Sequence, residues 1–270
     1  MELIVFDLDG TLLDGNAEIS SYTSDTLRML AAQGIAYTVA TGRTLHASRT
    51  LLDGQGFALP QVFKNGVLVW HPNDQRLTSG ALLTMREVDR VVSASTRHDV
   101  TPFVFTLDAT VYHPRPINRI EHQLLVHFDR RGADNTRMLD ELPNDAEITH
   151  VSAIGPAAAI RGILDIVSAE EHLVAYSGVA YEGQQWRWLD VHHSNASKGG
   201  AIVELKEQLG FERVICFGDS ENDVSLFEIA DEAYAPGNAA ASIKDAATAV
   251  IGRHDEEGIA RFLRRRFDLD

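Results

Sequence analysis

Two aspartates one residue apart, Asp7 and Asp9, close a short apolar run and are followed at once by Gly10 and Thr11. The run Leu3 to Phe6 reads as a buried parallel strand. Open α/β sheets place their ligands outside the C-terminal ends of such strands. Asp7 and Asp9 are therefore expected at a strand tip, poised to hold a cation and to do chemistry. Two plainer readings compete. Asp-Gly-Thr also suits an ordinary turn, because Asp and Gly favour turns. A calcium loop would place Asp7, Asp9 and Glu18 at its first, third and twelfth positions, but it needs Gly at the sixth and a helix before it. Leu12 occupies the sixth position and a strand precedes, so the calcium reading fails. On the motif alone, the turn reading stays open.

Three other segments carry matching chemistry. In Phe217-Gly218-Asp219-Ser220-Glu221-Asn222-Asp223 a second apolar strand ends in aspartates four residues apart. Asp219 can ligate a metal directly, while Asp223, one helical turn on, reaches it through water or orients a lysine. A helix cap with an acidic first turn is the plainer alternative. Lys198, in Asn195-Ala196-Ser197-Lys198-Gly199-Gly200, opens a helix, where a cation opposes the helix dipole unless an anion offsets it. Bound-anion and solvated-surface readings both remain for Lys198. Thr41-Gly42-Arg43 follows a strand and precedes a helix. Alone it reads as a turn, yet a hydroxyl beside helix-start amides can also hold a phosphate oxygen. Hard carboxylate oxygens, water and a phosphate together would suit Mg2+.

The elements that must position these residues follow from periodicity. Strand 2–6, helix 21–33, strand 35–40, helix 44–53 and a strand over 62–69 interrupted by Asn65-Gly66 alternate as in a doubly wound parallel sheet. The texture then changes. A helix over 83–97, β-like segments over 101–113 and 122–128, a helix over 134–142, a strand over 147–154, a helix from Gly155-Pro156 and a strand from Leu173 to Tyr176 read as an α+β insertion. Strand 186–191, helix 197–209, strand 213–217 and helices over 221–230 and 256–266 return to the first texture. The expected division is a core of residues 1–82 and 186–270 with an inserted domain of residues 83–185.

Bulk properties narrow the function classes. With 24 basic against 39 acidic residues the formal charge is −15, which argues against a nucleic-acid partner, whose backbone demands a basic face. An anionic substrate remains compatible, since one divalent cation reverses the local field. The single cysteine, Cys216, cannot form an internal disulfide and lies in an apolar run, as a core residue would. The N-terminus has no basic region, and its apolar run is too short for a signal peptide or a span, so no membrane and a cytoplasmic location are expected. The 11 histidines show no metal-ligand spacing. The expected partner is a small molecule, and the chain a monomer or homodimer.

Taken in order, Asp7-Leu8-Asp9-Gly10-Thr11, Thr41-Gly42-Arg43, Lys198 and Gly218-Asp219 through Asn222-Asp223 resemble the four motifs of the haloacid dehalogenase-like superfamily. The insertion between the second and third motifs is similar to that of the Cof-type subfamily, which includes sugar-phosphate phosphatases. Asn65-Gly66 and the ending Gly237-Asn238-Ala239, Ile243-Lys244, Ala247 and Gly258-Ile259 match as well, whereas Ala235-Pro236 departs from the usual small residue and methionine.

The resemblance implies a doubly wound core with an inserted α+β cap, and an Mg2+-dependent phosphatase of a small phosphate ester, with a sugar phosphate as the expected substrate. It implies Asp7 as nucleophile, Asp9 as acid and base, and Lys198 and Thr41 on the phosphoryl oxygens. Gly42, Arg43, Asn65 and Asn222 would bind substrate. The metal would be held by Asp7, the Asp9 carbonyl and Asp219, with Asp223 behind them. On the cap, His113, Arg115, Arg119 and Tyr181 are polar candidates, though exposed polar side chains are the norm. A phosphomutase on the same scaffold and a non-catalytic regulatory protein of this fold are the alternatives.

Overall fold

Leu3, Ile4, Val5 and Phe6 leave strand β1 (Glu2–Phe6) without a polar face, so it must be covered on both sides. It is: all four are fully buried. The structure, a computed structural model, describes the backbone of residues 1–129, 135–180 and 183–269, and the side chains of all of these except 127–129. Tyr181, a cap candidate, lies outside the described residues.

The chain continues through helix α1 (Ser21–Ala32), β2 (Ala36–Val39) and α2 (Leu45–Leu52). A small antiparallel sheet follows, made of β3 (Gln61–Phe63), β4 (Leu68–His71) and β5 (Arg76–Thr78). Residues 62–69 are thus two strands and not one interrupted strand. Lys64 (φ 49°), Asn65 (φ 57°) and Gly66 (φ 101°) all take left-handed conformations, and three in succession reverse the chain. Gly66 is required a second time: a Cβ there would run into the Ser197 backbone.

The next segment holds α3 (Met85–Arg97), β6 (Pro102–Thr106), β7 (Val111–His113), α4 (Arg119–Asp129), β8 (Thr136–Met138), β9 (Ile148–Pro156), α5 (Ala157–Val167), β10 (Leu173–Ala180) and β11 (Gly183–His193). Its six strands form a mixed sheet in the order β10-β11-β9-β6-β7-β8. Two sequence expectations are corrected here. Residues 122–128 are helical, because Asn118 accepts from the Ile120 and Glu121 amides, both at 3.0 Å, while Glu121 turns back to the Ile117 amide at 2.7 Å. This reciprocal cap overrides the strand-like composition. Residues 134–142 are not a helix over their described part, where β8 leads into a single tight turn at Leu139–Glu141.

The last third returns with α6 (Lys198–Leu209), β12 (Arg213–Phe217), α7 (Val224–Ile229), β13 (Glu232–Pro236), α8 (Ala241–Ala246), β14 (Ala249–Ile251) and α9 (Gly258–Arg266). Five parallel strands in the order β14-β13-β12-β1-β2 form the main sheet. Leu3 and Val5 pack with Val214, Cys216 and Ile202 on one face. Ile4 and Phe6 pack with Ile215, Phe217, Leu27 and Leu30 on the other. Ala235 is buried in the core at the end of β13, which the following Pro236 completes.

By contacts the chain forms two units, Met1–Thr78 with Ala196–Asp270, and Ser79–Asn195. Residues 186–191, expected in the core, belong to β11, which lies between β9 and β10 in the mixed sheet. A parallel sheet with helices and a separate mixed sheet make this an α/β protein with an inserted α+β unit. No helix among the described residues is long and apolar enough to cross a membrane.

Phe6 stacks on Phe217 with ring centroids 5.3 Å apart at the centre of the main sheet. Phe6→Ala is expected to lower the unfolding free energy by about 3–5 kcal/mol, measured by urea denaturation.

Candidate active site

The chain leaves the main sheet on one side from β1 to β2 and on the other from β12 to β13, so β1 and β12 flank the point where strand order reverses. A crevice for ligands opens at such a point, beyond the C-terminal strand ends. Asp7 follows β1 there, its amide donating to the Phe217 carbonyl at 3.0 Å, and Asp219 lies two residues beyond the end of β12.

Beyond Asp7 the backbone makes one wide turn, with the Leu12 amide on the Asp7 carbonyl (3.2 Å) and the Leu13 amide on the Leu8 carbonyl (2.9 Å). Gly10, at φ 70°, lets this turn pass Asp219, because any Cβ would meet the Asp219 carboxylate. Asn238 pins the turn from outside: its Nδ2 donates to the Gly10 carbonyl at 2.8 Å, and its Oδ1 accepts from the His254 amide at 3.1 Å.

The centre of the site is Lys198. Its side chain is wholly buried, and Nζ donates at 2.7 Å to both Asp7 Oδ1 and Asp223 Oδ1. Burial alone would lower the ammonium's pKa, but the charges of Asp223 and Asp7 outweigh it and hold the group protonated well above its ordinary range. This excludes the solvated-surface reading of Lys198. Asp223 is fully engaged, because Oδ2 accepts from the Asp219 and Ser220 amides at 2.9 and 3.1 Å. It thus caps its own turn and orients the lysine.

Asp7, Asp219 and Asp223 offer carboxylate oxygens within 4.8 Å of one another. That is more negative charge than one ammonium neutralises. Burial, with help from the Asp223 and Asp219 charges, pushes the Asp7 carboxyl upward against the pull of Lys198. Burial and the Asp223 charge push Asp219 up to about 6. Asp219 Oδ1 is buried without a hydrogen-bond partner among the described residues. A buried carboxylate oxygen without a donor, beside a second carboxylate, fits a hard divalent cation of the Mg2+ class.

The Asp9 carboxylate stands outside that group. Arg43 holds it by two hydrogen bonds, Nε to Oδ2 at 2.7 Å and Nη2 to Oδ1 at 2.6 Å, and the pairing raises the arginine's own pKa. Thr41 is placed beside Asp7 because the neighbouring Ala40 amide donates to the Phe6 carbonyl at 2.9 Å; its Oγ1 accepts from the Arg43 amide at 3.2 Å. Asn222 Nδ2 donates to Asn65 Oδ1 at 2.9 Å, and Gly42 lies close to the same amides. The core site residues chosen from sequence therefore fall into three groups: Asp7, Lys198, Asp219 and Asp223; Asp9 with Arg43 and Thr41; and Gly42 with Asn65 and Asn222.

Sequence reasoning assigned no structural task to Asn238, which clamps the turn, or to Gly66, which lets the β3–β4 turn pass beneath the start of α6. Their signals were present in Asn65-Gly66 and Gly237-Asn238. The partners lay more than 100 residues away in the chain. Of the cap candidates, His113 is buried, its Nδ1 within 2.7 Å of the Pro114 carbonyl, whereas Arg115 and Arg119 are exposed.

The fold and the site define an α/β protein with a cluster of carboxylates and a buried lysine at the switch point of its parallel sheet. A model of the haloacid dehalogenase-like hydrolases matches residues 4–263. The chain belongs to that family and is a phosphoric monoester hydrolase. It is 28% identical over 276 residues to the 5-amino-6-(5-phospho-D-ribitylamino)uracil phosphatase YitU of Bacillus subtilis, covering 99% of this chain and 98% of that protein. In structure it is similar to a haloacid dehalogenase-like hydrolase from Bacteroides thetaiotaomicron, with TM-score 0.78 and 22% identity over 98% of this chain and 99% of that one. It is also similar to a sugar phosphatase of HAD subclass IIB, with TM-score 0.77 and 21% identity over the full length of both chains.

Lys198→Met would leave Asp7 and Asp223 buried without their shared cation. In metal-free buffer this variant is expected to lose about 3–5 kcal/mol of unfolding free energy, measured by chemical denaturation.

Proposed function

We propose that the protein is an Mg2+-dependent phosphatase of a small phosphorylated metabolite, with a sugar phosphate as the expected class, working through an aspartyl-phosphate on Asp7. The observation that carries this reading is Asp7 held by the buried Lys198 beside the unpartnered oxygen of Asp219. Asp7 and Asp219, with the Asp9 carbonyl, would hold the ion. When bound, Mg2+ neutralises charge on phosphoryl oxygens that would otherwise repel a carboxylate nucleophile.

In the first step an Asp7 oxygen bonds to phosphorus while the bond from phosphorus to the ester oxygen breaks. The electron pair goes to that oxygen, which takes a proton from the Asp9 carboxyl and leaves as the alcohol. In the second step water attacks the phosphorus and gives its proton to Asp9. The bond to Asp7 then breaks and inorganic phosphate is released. Lys198 can offer its third N–H, and Thr41 its hydroxyl, to the phosphoryl oxygens. Gly42, Asn65 and Asn222 would line the substrate, while Asp223 keeps Lys198 charged and in place.

The unit Ser79–Asn195 is assigned the choice of leaving group. Support for a sugar-like substrate comes from the relatives. The ribitylamino-uracil phosphate named for YitU and the substrates of a sugar phosphatase are both phosphate esters of polyhydroxylated carbon chains. A reducing, cytoplasmic setting suits the single thiol, Cys216, buried in β12.

The test is phosphate release with Mg2+ across sugar phosphates, nucleotides and cofactor phosphates. A preference for hexose or pentose phosphates is expected, with Asp7→Asn folded and reduced by at least about 10³-fold. Selective hydrolysis of pyridoxal phosphate would overturn the substrate class, and full activity in Asp7→Asn would overturn the mechanism. Phosphate release without a bisphosphate activator separates hydrolysis from phosphomutase action.

A further inference from the structure

The two carboxylates at the tip of β1 are paired to different cations, and the pairing divides their work. Asp7 takes the buried ammonium of Lys198. Asp9 takes the guanidinium of Arg43 through two nearly equal hydrogen bonds of 2.7 and 2.6 Å. Asp9 needs such a partner more than Asp7 does, because its side chain is 58% exposed against 6% for Asp7. An exposed carboxylate with two free torsions would otherwise be spread over several rotamers in water.

The backbone beneath it is already pinned by Asn238 on the Gly10 carbonyl. The backbone of Arg43 is pinned as well, its amide donating to Thr41 Oγ1 at 3.2 Å and its carbonyl accepting from the Lys64 amide at 3.0 Å. A fork anchored at one strand tip thus reaches across and sets the rotamer of a carboxylate anchored at the next. The fork is planar and bidentate, so it fixes the orientation of the carboxylate as well as its distance. Lysine, a point charge on a flexible stem, cannot do this.

We propose that Arg43 is a positioning residue for Asp9, aiming its carboxyl at the ester oxygen and then at the attacking water, and does not serve chiefly to bind the phosphoryl group. The inference rests on the phosphatase reading given above and assigns Arg43 a different role from the substrate contact expected of it. Because Arg43 would act only through Asp9, its removal should matter where proton donation matters. An alkyl phosphate leaves as a poor, strongly basic alkoxide and needs the proton. p-Nitrophenyl phosphate leaves as a stabilised phenolate and does not. Both substrates need Asp9 in the second step, when water is activated.

The experiment compares wild type, Arg43→Ala, Arg43→Lys, Asp9→Asn and the double variant on a sugar phosphate turned over by wild type and on p-nitrophenyl phosphate, with Mg2+. Arg43→Ala should lower kcat/KM for the sugar phosphate by about 10²-fold, within the range of general acid catalysis. It should leave kcat/KM for p-nitrophenyl phosphate within about threefold, while kcat falls and a burst of about one equivalent of nitrophenol precedes the slow steady state. Arg43→Lys should recover only part of the loss. Adding Arg43→Ala to Asp9→Asn should cost little more on the sugar phosphate, since both changes remove one function.

Equal losses of kcat/KM on the two substrates, or full additivity of the two substitutions, would overturn the proposal and return Arg43 to phosphoryl binding or to a structural role. If Arg43→Ala does not fold, Arg43→Gln and Arg43→Lys give the same two-substrate comparison. Failure of the phosphatase reading is distinguishable, because wild type would then hydrolyse neither ester or Asp7→Asn would keep full activity.

Discussion

One buried ammonium organises the active end of the main sheet. Lys198 is the first residue of α6, where a positive charge opposes the helix dipole and burial opposes any charge at all. Two carboxylates at 2.7 Å offset both costs. That arrangement demands accuracy from three distant segments. The β1 tip must deliver Asp7, and the turn after β12 must fold back so that Asp223 reaches Nζ while accepting two amides of its own turn. The start of α6 must be held down, which Ser197 does by capping the Gly200 amide and Gly66 does by letting the β3–β4 turn pass against the Ser197 backbone.

The same ammonium leaves the site electrically incomplete. Three carboxylates converge within 4.8 Å, and the unpartnered oxygen of Asp219 faces no donor among the described residues. The carboxyl groups respond by resisting ionisation, which divalent charge would relieve. Packing keeps the arrangement in place: Gly10 is the only residue type that lets the turn clear Asp219, and Asn238 holds that turn from outside. The stacked rings of Phe6, Phe217 and Tyr234 lie under the strand tips, so the carboxylates stand on a rigid base.

Much of this was legible in the residues. β1 and β12 announced themselves as short apolar runs ending in aspartates, and their bounds follow directly from the change of composition. Elsewhere local signals competed. Residues 122–128 have strand-like composition, yet Asn118 and Glu121 cap one another and nucleate a helix. Residues 186–191 carry aromatic strand composition that cannot say which sheet they join; pairing with β9 and β10 assigned them to the inserted unit. Asn65-Gly66 marked a break, but only the left-handed run from Lys64 to Gly66 turns that break into a hairpin.

By itself, then, the sequence determined the strand tips, the residue types that meet there and the family to which they belong, because carboxylates, a glycine and a lysine at fixed places along strands and helices are local facts. The pairings were decided by tertiary structure. Asp7 and Asp9 are equivalent in a string of letters. They differ in their partners: Asp7 pairs with a buried lysine 191 residues away in the chain, and Asp9 with an arginine 34 residues away. Which cation reaches which carboxylate depends on strand order at the switch point, and strand order is a property of the folded sheet.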